Sequence, residues 1–318
     1  MLEVERFFPC FNPRSSAANF FWIALNSPLP TIEGLSPSSI WLPPGPWKTV
    51  IAFLREWFPD VEFSIWHARM AKGEVVDQTG LKLTPDSPYR AGACIFYYRE
   101  LENETPIPCV ESVLYQDEHI LVADKPHFLP VIPAGRFLKE TLLVRLKNKL
   151  RLEHLVPLHR IDQETAGIVL FSLNPASRGA YVSLFQNRKV TKVYEALAST
   201  NSELTFPLTR RSRIVRGEPF FRMKEVIGEP NSETRIEVLQ QFGHLTLYKL
   251  HPVTGKKHQL RLHLAALKIP IINDRLYPEL HPHELDEYAS PLRLLARSVS
   301  FRDPLSGRDR HFESAFEL

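Results

Sequence analysis

Apolar residues recur at helical spacing early in the chain. Trp47, Val50, Ile51, Leu54 and Phe58 would share one face of a helix over 46–58. Pro46 suits a first turn, where its missing amide hydrogen has no partner to lose, and Pro59 ends the segment. A second short helix fits 64–70, ahead of Lys72 and Gly73, and strands fit 74–77 and 94–98 about a turn at Gly80. Upstream, 1–45 carries aromatic residues and prolines with little periodicity. Phe7, Phe8, Phe11, Phe20, Phe21 and Trp22 are too apolar for a disordered tail, so an irregular arm packed on the body is expected. The pattern predicts this arm over 1–45, a small α/β module over 46–100, a linker over 101–109 with Pro106 and Pro108, and a larger domain over 110–318.

In the larger domain a strand is expected at 119–123. A helix follows at 141–150, with Leu142, Leu143, Leu146 and Leu150 on one face. Residues 167–171 form a continuous apolar run, read as a buried strand. Asn174 and Pro175 then supply a cap and first-turn proline for a helix through Phe185. Strands fit 191–198, 234–239 and 245–251, and a helix fits 258–267, ended by Pro270. Strands and helices intermingle without a strict βαβ rhythm. That favours an α+β fold with a mixed, largely antiparallel central sheet flanked by helices.

Composition narrows this little: 44% hydrophobic and 24% charged residues are ordinary for a globular protein. Net charge is only +3, but the basic residues cluster. Arg210, Arg211, Arg213, Arg216, Arg222 and Lys224 lie within fifteen positions with one acid, Glu218. Arg136, Lys139, Arg145, Lys147, Lys149 and Arg151 form a second group. Such clusters suit a phosphate-binding groove, and a solvated face fits the spacing equally well. Cys10, Cys94 and Cys109 are isolated and odd in number, which argues for a reducing interior. The first residues lack a secretory pattern and no apolar run approaches a membrane span, so a cytoplasmic protein with no membrane partner is expected.

There is no GxGxxG, no phosphate-loop lysine motif and no HExxH. His281 and His283 flank Pro282 without an evident third ligand, so no metal is expected. Two polar clusters stand out. His159-Arg160-Ile161-Asp162-Gln163-Glu164-Thr165-Ala166-Gly167 leads into the buried strand at 167–171. Read from spacing alone, it fits a loop with a structural Arg–Asp pair at least as well as a chemical site. Thr254-Gly255-Lys256-Lys257-His258-Gln259-Leu260-Arg261 opens a helix and places His258 and Arg261 on one face.

Together these residues resemble the signatures of the RluA-type pseudouridine synthases. Residues 159–167 match HRxDxxT(S/A)G, and Thr254 to His263 match TG(R/K)xHQ(I/L)RxH. Lys125-Pro126 resembles the early KP element, Lys192-Val193-Tyr194-Glu195-Ala196 the KxYxA strand, Pro270 to Asp274 the PI(V/I)GD segment, and Leu294 to Phe301 the LHA…F element. The likeness runs from about Glu111 to the end of the chain. Ile161 stands where leucine is usual, Asn273 where glycine is, and Leu295 and Asp303 where histidines are.

The resemblance implies isomerisation of uridine in structured RNA, rRNA or tRNA, by a monomer that needs neither cofactor nor metal. It implies that Asp162 is the essential carboxylate, Arg261 its cationic partner and Tyr194 the ring against the base. It implies substrate or RNA contacts at His159, Arg160, Thr165, Lys125, Thr254, Lys257, His258, Gln259 and Leu295, with Arg160 filling the stack left by a flipped base and Leu295 forming an apolar wall. Arg210, Arg211 and Arg213 are expected on the RNA path. The small module resembles the RNA-binding domain that precedes many such catalytic domains, with Lys48, Arg55, Arg69 and Lys72 as candidate contacts. Two other classes stay open: a non-catalytic RNA-binding protein on the same fold, and a nucleoside hydrolase. The latter typically needs two carboxylates, and Glu164 is the only neighbour within the motif.

Overall fold

A computed structural model describes residues 27–99, 104–281 and 287–318. Most of the arm expected over 1–45 lies outside them, as do Cys10 and His283. The described part of that arm is not all irregular, because Ser38–Trp41 is a strand, β1. The chain divides into two compact units, residues 1–104 with 133–139, and residues 105–132 with 140–318. Residues 133–139, expected in the larger domain, belong to the first unit.

The first unit holds β1, α1 (Val50–Trp57), α2 (Phe63–Lys72), β2 (Val75–Asp77) and β3 (Cys94–Tyr97). Its antiparallel sheet runs β1-β3-β2. The Thr49 hydroxyl accepts from the Ala52 amide, so α1 starts four residues later than the proline pattern predicts. The apolar stripe seen in the sequence does face inward: Val50, Ile51, Phe53 and Leu54 pack with Trp66, Met70, Val75 and Ile95. Arg69, a candidate RNA contact, is 5% exposed, its guanidinium 4.9 Å from the Trp66 ring centroid, so it belongs to this core.

The second unit carries an eleven-stranded sheet. In chain order its elements are β4 (Ser112–Gln116), β5 (Ile120–Lys125), α3 (Leu142–Leu150), β6 (Val156–Pro157), β7 (Ala166–Ser172), α4 (Pro175–Gln186), β8 (Val190–Ser199), β9 (Leu208–Arg216), β10 (Met223–Val226), β11 (Ser232–Phe242), β12 (Leu245–Pro252), α5 (Gln259–Ala266), β13 (Leu294–Arg302) and β14 (Asp309–Glu313). The main path is β10-β9-β11-β12-β8-β13-β7-β5-β4, with β14 on β13 and β6 on β7. Every pairing is antiparallel except β13 with β7. This is the mixed, largely antiparallel sheet expected, with the chain from β13 serving both cores. Leu294 joins Ala196, Ile236, Leu250, Leu260 and Leu264, whereas Val299 and Phe301 join Ile120, Ile168, Leu170 and Tyr181.

The parallel junction is tight. Ala166 and Gly167 of β7 face Leu295 and Ala296 of β13. Gly167 has φ +113°, and a Cβ there would lie 2.3 Å from the Ala296 carbonyl oxygen. Only glycine tolerates both constraints. On its other edge β13 meets β8 with a register shift between Leu295 and Ser298, beside Tyr194. The residues leading into β7 and the middle of β8 therefore flank the same stretch of β13.

Candidate active site

Asp162 sits in a turn whose backbone carbonyls are fixed one after another. The Thr165 amide donates to the Asp162 carbonyl at 3.1 Å. The Lys125 ammonium donates to the Gln163 carbonyl at 2.9 Å, and His127 Nδ1 donates to the Glu164 carbonyl at 2.7 Å. Lys125 also donates to the carbonyls of Pro126 and Leu129. Upstream of the turn, His159 Nε2 accepts from the Leu170 amide at 3.1 Å and its ring stacks on Phe185 at 4.9 Å. Burial, with Lys192 nearby, pushes the His159 pKa down to about 3, so this acceptor stays neutral. Both ends of the turn are pinned, and the Asp162 side chain, 27% exposed, is presented from it.

Two side chains at the start of α5 face that carboxylate. Arg261 Nη1 lies 3.8 Å from Oδ2 and His258 Nε2 lies 3.9 Å from Oδ1. Arg261 is 2% exposed and makes its short contacts elsewhere. Nε and Nη2 bind Asp274 at 2.8 and 2.6 Å, and Nη2 also meets Glu164 at 2.8 Å. A bidentate partner fixes the plane of the guanidinium and so its distance from Asp162. Burial weakens the charge on Arg261, but the Asp274 bonds outweigh it and the net pKa is raised. Asp162's charge also acts on Tyr194, Arg160, Lys257 and Lys125. Burial first, then that charge, pushes the Tyr194 pKa up, so the ring carries a neutral phenol.

The structure thus brings Asp162, Tyr194, Arg261, His258, Arg160 and Lys257 together around one carboxylate. It separates several other expected contacts from any RNA. Lys125 is wholly buried with three carbonyl acceptors, so the expected RNA contact is corrected to a tether inside the fold. Burial pushes its pKa down to about 7, with Asp162, Cys109 and Glu164 acting the other way. Three carbonyl acceptors favour the ammonium form, since a neutral amine carries only two N–H donors. Thr165 and Gln259 are 2% and 3% exposed, which likewise removes them from the RNA surface. Gln259 instead clasps the loop before α5, taking the Thr254 hydroxyl and Lys256 amide and giving its own amide to Glu233 and Thr234. Thr254 is a member of that clasp and accepts from the Glu233 amide. Leu295 is 0% exposed, packed at the parallel junction, so it forms no open wall.

Arg210, Arg211 and Arg213 do not act as one patch, because they lie on β9 and successive strand residues point to opposite faces. Ser212 is 3.0 Å from His263 of α5, which puts Arg210, Ser212, Ile214 and Arg216 on the α5 side. Arg211 and Arg213 take the other side, where Arg211 pairs with Glu233 at 3.0 Å. Arg210 is paired with Glu225. Of the basic run, Arg216 is the residue whose charge reaches Lys257 beside Asp162. Asp274, Tyr277 and His127 join the site without a role expected from sequence, and Glu164, weighed there as a second carboxylate, is a partner of Arg261. Asp274 had a signal, its place in the PI(V/I)GD-like segment, and Glu164 one in the first motif. Tyr277 and His127 had none, since what they touch is distant in the chain.

A model of the RNA pseudouridylate synthase family matches residues 119–266, the span that holds this constellation apart from Asp274 and Tyr277. The dual-specificity RNA pseudouridine synthase RluA of Haemophilus influenzae is 32% identical over 219 residues, 67% of this chain and 97% of that protein. The tRNA pseudouridine(31) synthase of Saccharomyces cerevisiae is 31% identical over 188 residues, 52% of this chain and 46% of that one. Among solved structures, human RNA pseudouridylate synthase domain containing 4 aligns with a TM-score of 0.51 at 26% identity, covering 64% of this chain and 88% of its own.

Proposed function

The chain belongs to the RluA-type RNA pseudouridine synthases, and from that premise we propose that Asp162 is the carboxylate through which it converts uridine to pseudouridine. The observation that carries this reading is the carboxylate itself: held by a pinned turn, partly open to solvent, with one nitrogen facing each oxygen. The reaction breaks the bond from N1 to C1′, turns the base and joins C5 to C1′. Attack at C1′ and removal of the C2′ proton both begin from an ionised carboxylate. Arg261 faces the carboxylate without tying up either oxygen in a short hydrogen bond, since its short contacts are spent on Asp274 and Glu164.

Tyr194 presents a neutral aromatic face to the base, and its raised pKa favours stacking over proton removal in the resting enzyme. Arg160 is exposed beside Asp162 and suits the gap left by a flipped uridine, whose extrusion costs a few kcal/mol. Lys257 and Arg216 extend a basic path from the site. The target is rRNA or tRNA; the relation to a yeast enzyme named for tRNA supports the second. The enzyme acts as a cytoplasmic monomer, with Lys48, Arg55 and Lys72 of the first unit as further RNA contacts.

Pseudouridine mapping of total RNA from cells that lack this protein, with and without the restored gene, tests the activity and names the target. At least one rRNA or tRNA position should lose pseudouridine and regain it on restoration. An unchanged map contradicts the reading, and free uracil released by the purified protein from RNA would turn it towards a hydrolase.

A further inference from the structure

His258 and Arg261 approach Asp162 from the same helix start, but only Arg261 has a fixed proton inventory. A neutral imidazole presents either N–H or a lone pair, depending on its tautomer. The hydrogen bonds behind the ring decide which. The Met223 amide donates to the Tyr277 hydroxyl oxygen at 2.7 Å. An amide nitrogen does not accept, so this contact uses an oxygen lone pair and leaves the Tyr277 proton to point elsewhere. His258 Nδ1 lies 2.9 Å from the same hydroxyl. Were Nδ1 to carry the proton, the buried phenol would accept twice and leave its own proton without an acceptor among the described residues; the phenol therefore donates, Nδ1 accepts, and the single ring proton sits on Nε2, the atom 3.9 Å from Asp162 Oδ1. Burial, opposed by Asp162 and aided by Arg261 and Lys257, pushes the His258 pKa down to about 4, so the ring is neutral near pH 7.

The relay starts in the β9–β10 hairpin. Met223 is the first residue of β10, and the preceding Arg222 lies over the Tyr277 ring at 5.1 Å and donates to the Pro278 carbonyl at 2.8 Å. Tyr277 is 3% exposed and is aligned from the other side by Asp274, whose Oδ1 accepts from the Tyr277 amide at 3.1 Å. Asp274 is also the bidentate partner of Arg261. One carboxylate and one phenol thus set both nitrogens that face Asp162.

We propose that His258 is a positioning residue for Asp162, held as the Nε2–H tautomer by the Met223–Tyr277 relay, so that imidazole and guanidinium together fix the plane of the carboxylate. The proposal rests on Asp162 being the reacting carboxylate. A neutral donor suits that task. A second cation at this distance would lower the basicity of an acid that must act as nucleophile or base, whereas a neutral N–H orients it with less effect on its charge.

The test combines histidine side-chain NMR of the ¹⁵N-labelled full chain near pH 7 with single-turnover conversion of bound RNA. In the unaltered protein His258 should show the Nε2–H tautomer, and in Tyr277→Phe a shift towards the Nδ1–H form. His258→Gln, whose amide nitrogen can stand in for Nε2, should stay within about threefold of the normal rate. His258→Asn and Tyr277→Phe should lose about ten- to a hundredfold, the scale on which a misplaced reacting group costs rate, at unchanged RNA Kd. The pair of amide variants carries the comparison where His258→Ala does not fold. An Nδ1–H or doubly protonated ring in the unaltered protein, or equal rates for the Gln and Asn variants, overturns the proposal. If Asp162→Asn keeps its rate while the tautomer is as stated, the assignment of Asp162 has failed and the positioning role falls with it.

Discussion

Arg261 is the residue on which the site's electrostatics depend. It sits among three carboxylates, with Asp274 and Glu164 in contact and Asp162 at 3.8 Å. Removing it would strand buried Asp274 without its cation. Arg261→Met should therefore lower unfolding free energy in urea by about 3–5 kcal/mol, the cost typical of breaking a buried pair; a loss under about 1 kcal/mol would show that the cluster neutralises itself by taking up protons. Arg261→Lys keeps the charge but not the planar fork. It should bind RNA normally and turn over about a hundredfold more slowly, and a rate equal to that of the unaltered enzyme would mean that charge alone suffices. At this scale the sequence was informative wherever a motif was continuous: Asp162, His258 and Arg261 could all be named from it. It was silent on Tyr277 and His127 because their partners, Met223 and Glu164, lie 54 and 37 positions away. It misassigned Lys125, because nothing local distinguishes a lysine that reaches out from one that feeds three carbonyls inside.

Among the elements, β9 shows how a basic run misleads. Six basic residues close together suggest one surface, but alternation divides those on the strand between two faces and ion pairs occupy Arg210 and Arg211. Arg211→Ala with Arg213→Ala should leave the salt dependence of RNA binding unaltered. Arg216→Ala and Lys257→Ala should each reduce the slope by about 0.7–0.9, one phosphate contact apiece. The reverse result would put the RNA on the far face of the sheet. Strands β9, β10 and β14 are not predicted by the hydrophobic pattern because charged residues interrupt any apolar alternation along them. The helices were legible to within a few residues because their stripes pack on a core and Thr49, Thr141 and Asn174 cap them. Gly167 closes the first motif, but its reason lies in β13, more than a hundred positions on. Gly167→Ala should unfold at least about 2 kcal/mol more easily and disorder the Asp162 turn with it, since the new methyl meets a backbone oxygen rather than a yielding side chain. Unchanged stability would mean the junction opens freely.

For the molecule as a whole, the buried imidazoles set a pH limit. Burial holds His159 at about 3 and His258 and His263 at about 4, against an ordinary 6.5. Between about pH 6.5 and pH 4 the unfolded chain binds protons that the folded chain refuses. Their contribution to stability is therefore intact above pH 6.5 and is lost as the pH falls through that window, by up to about 1.4 kcal/mol per pH unit for each group. Urea midpoints at pH 7, 5.5 and 4.5 should drop steadily, and a flat profile would mean these rings are protonated in place. Asp162→Asn tests the assignment of the reacting carboxylate with the least disturbance, since the amide keeps the shape of the side chain and removes its charge. Tritium release from C5 of labelled uridine in cellular RNA should be robust for the unaltered enzyme. For Asp162→Asn it should fall by about a thousandfold or more at near-normal RNA affinity. Release by Asp162→Asn at the unaltered rate would contradict the account.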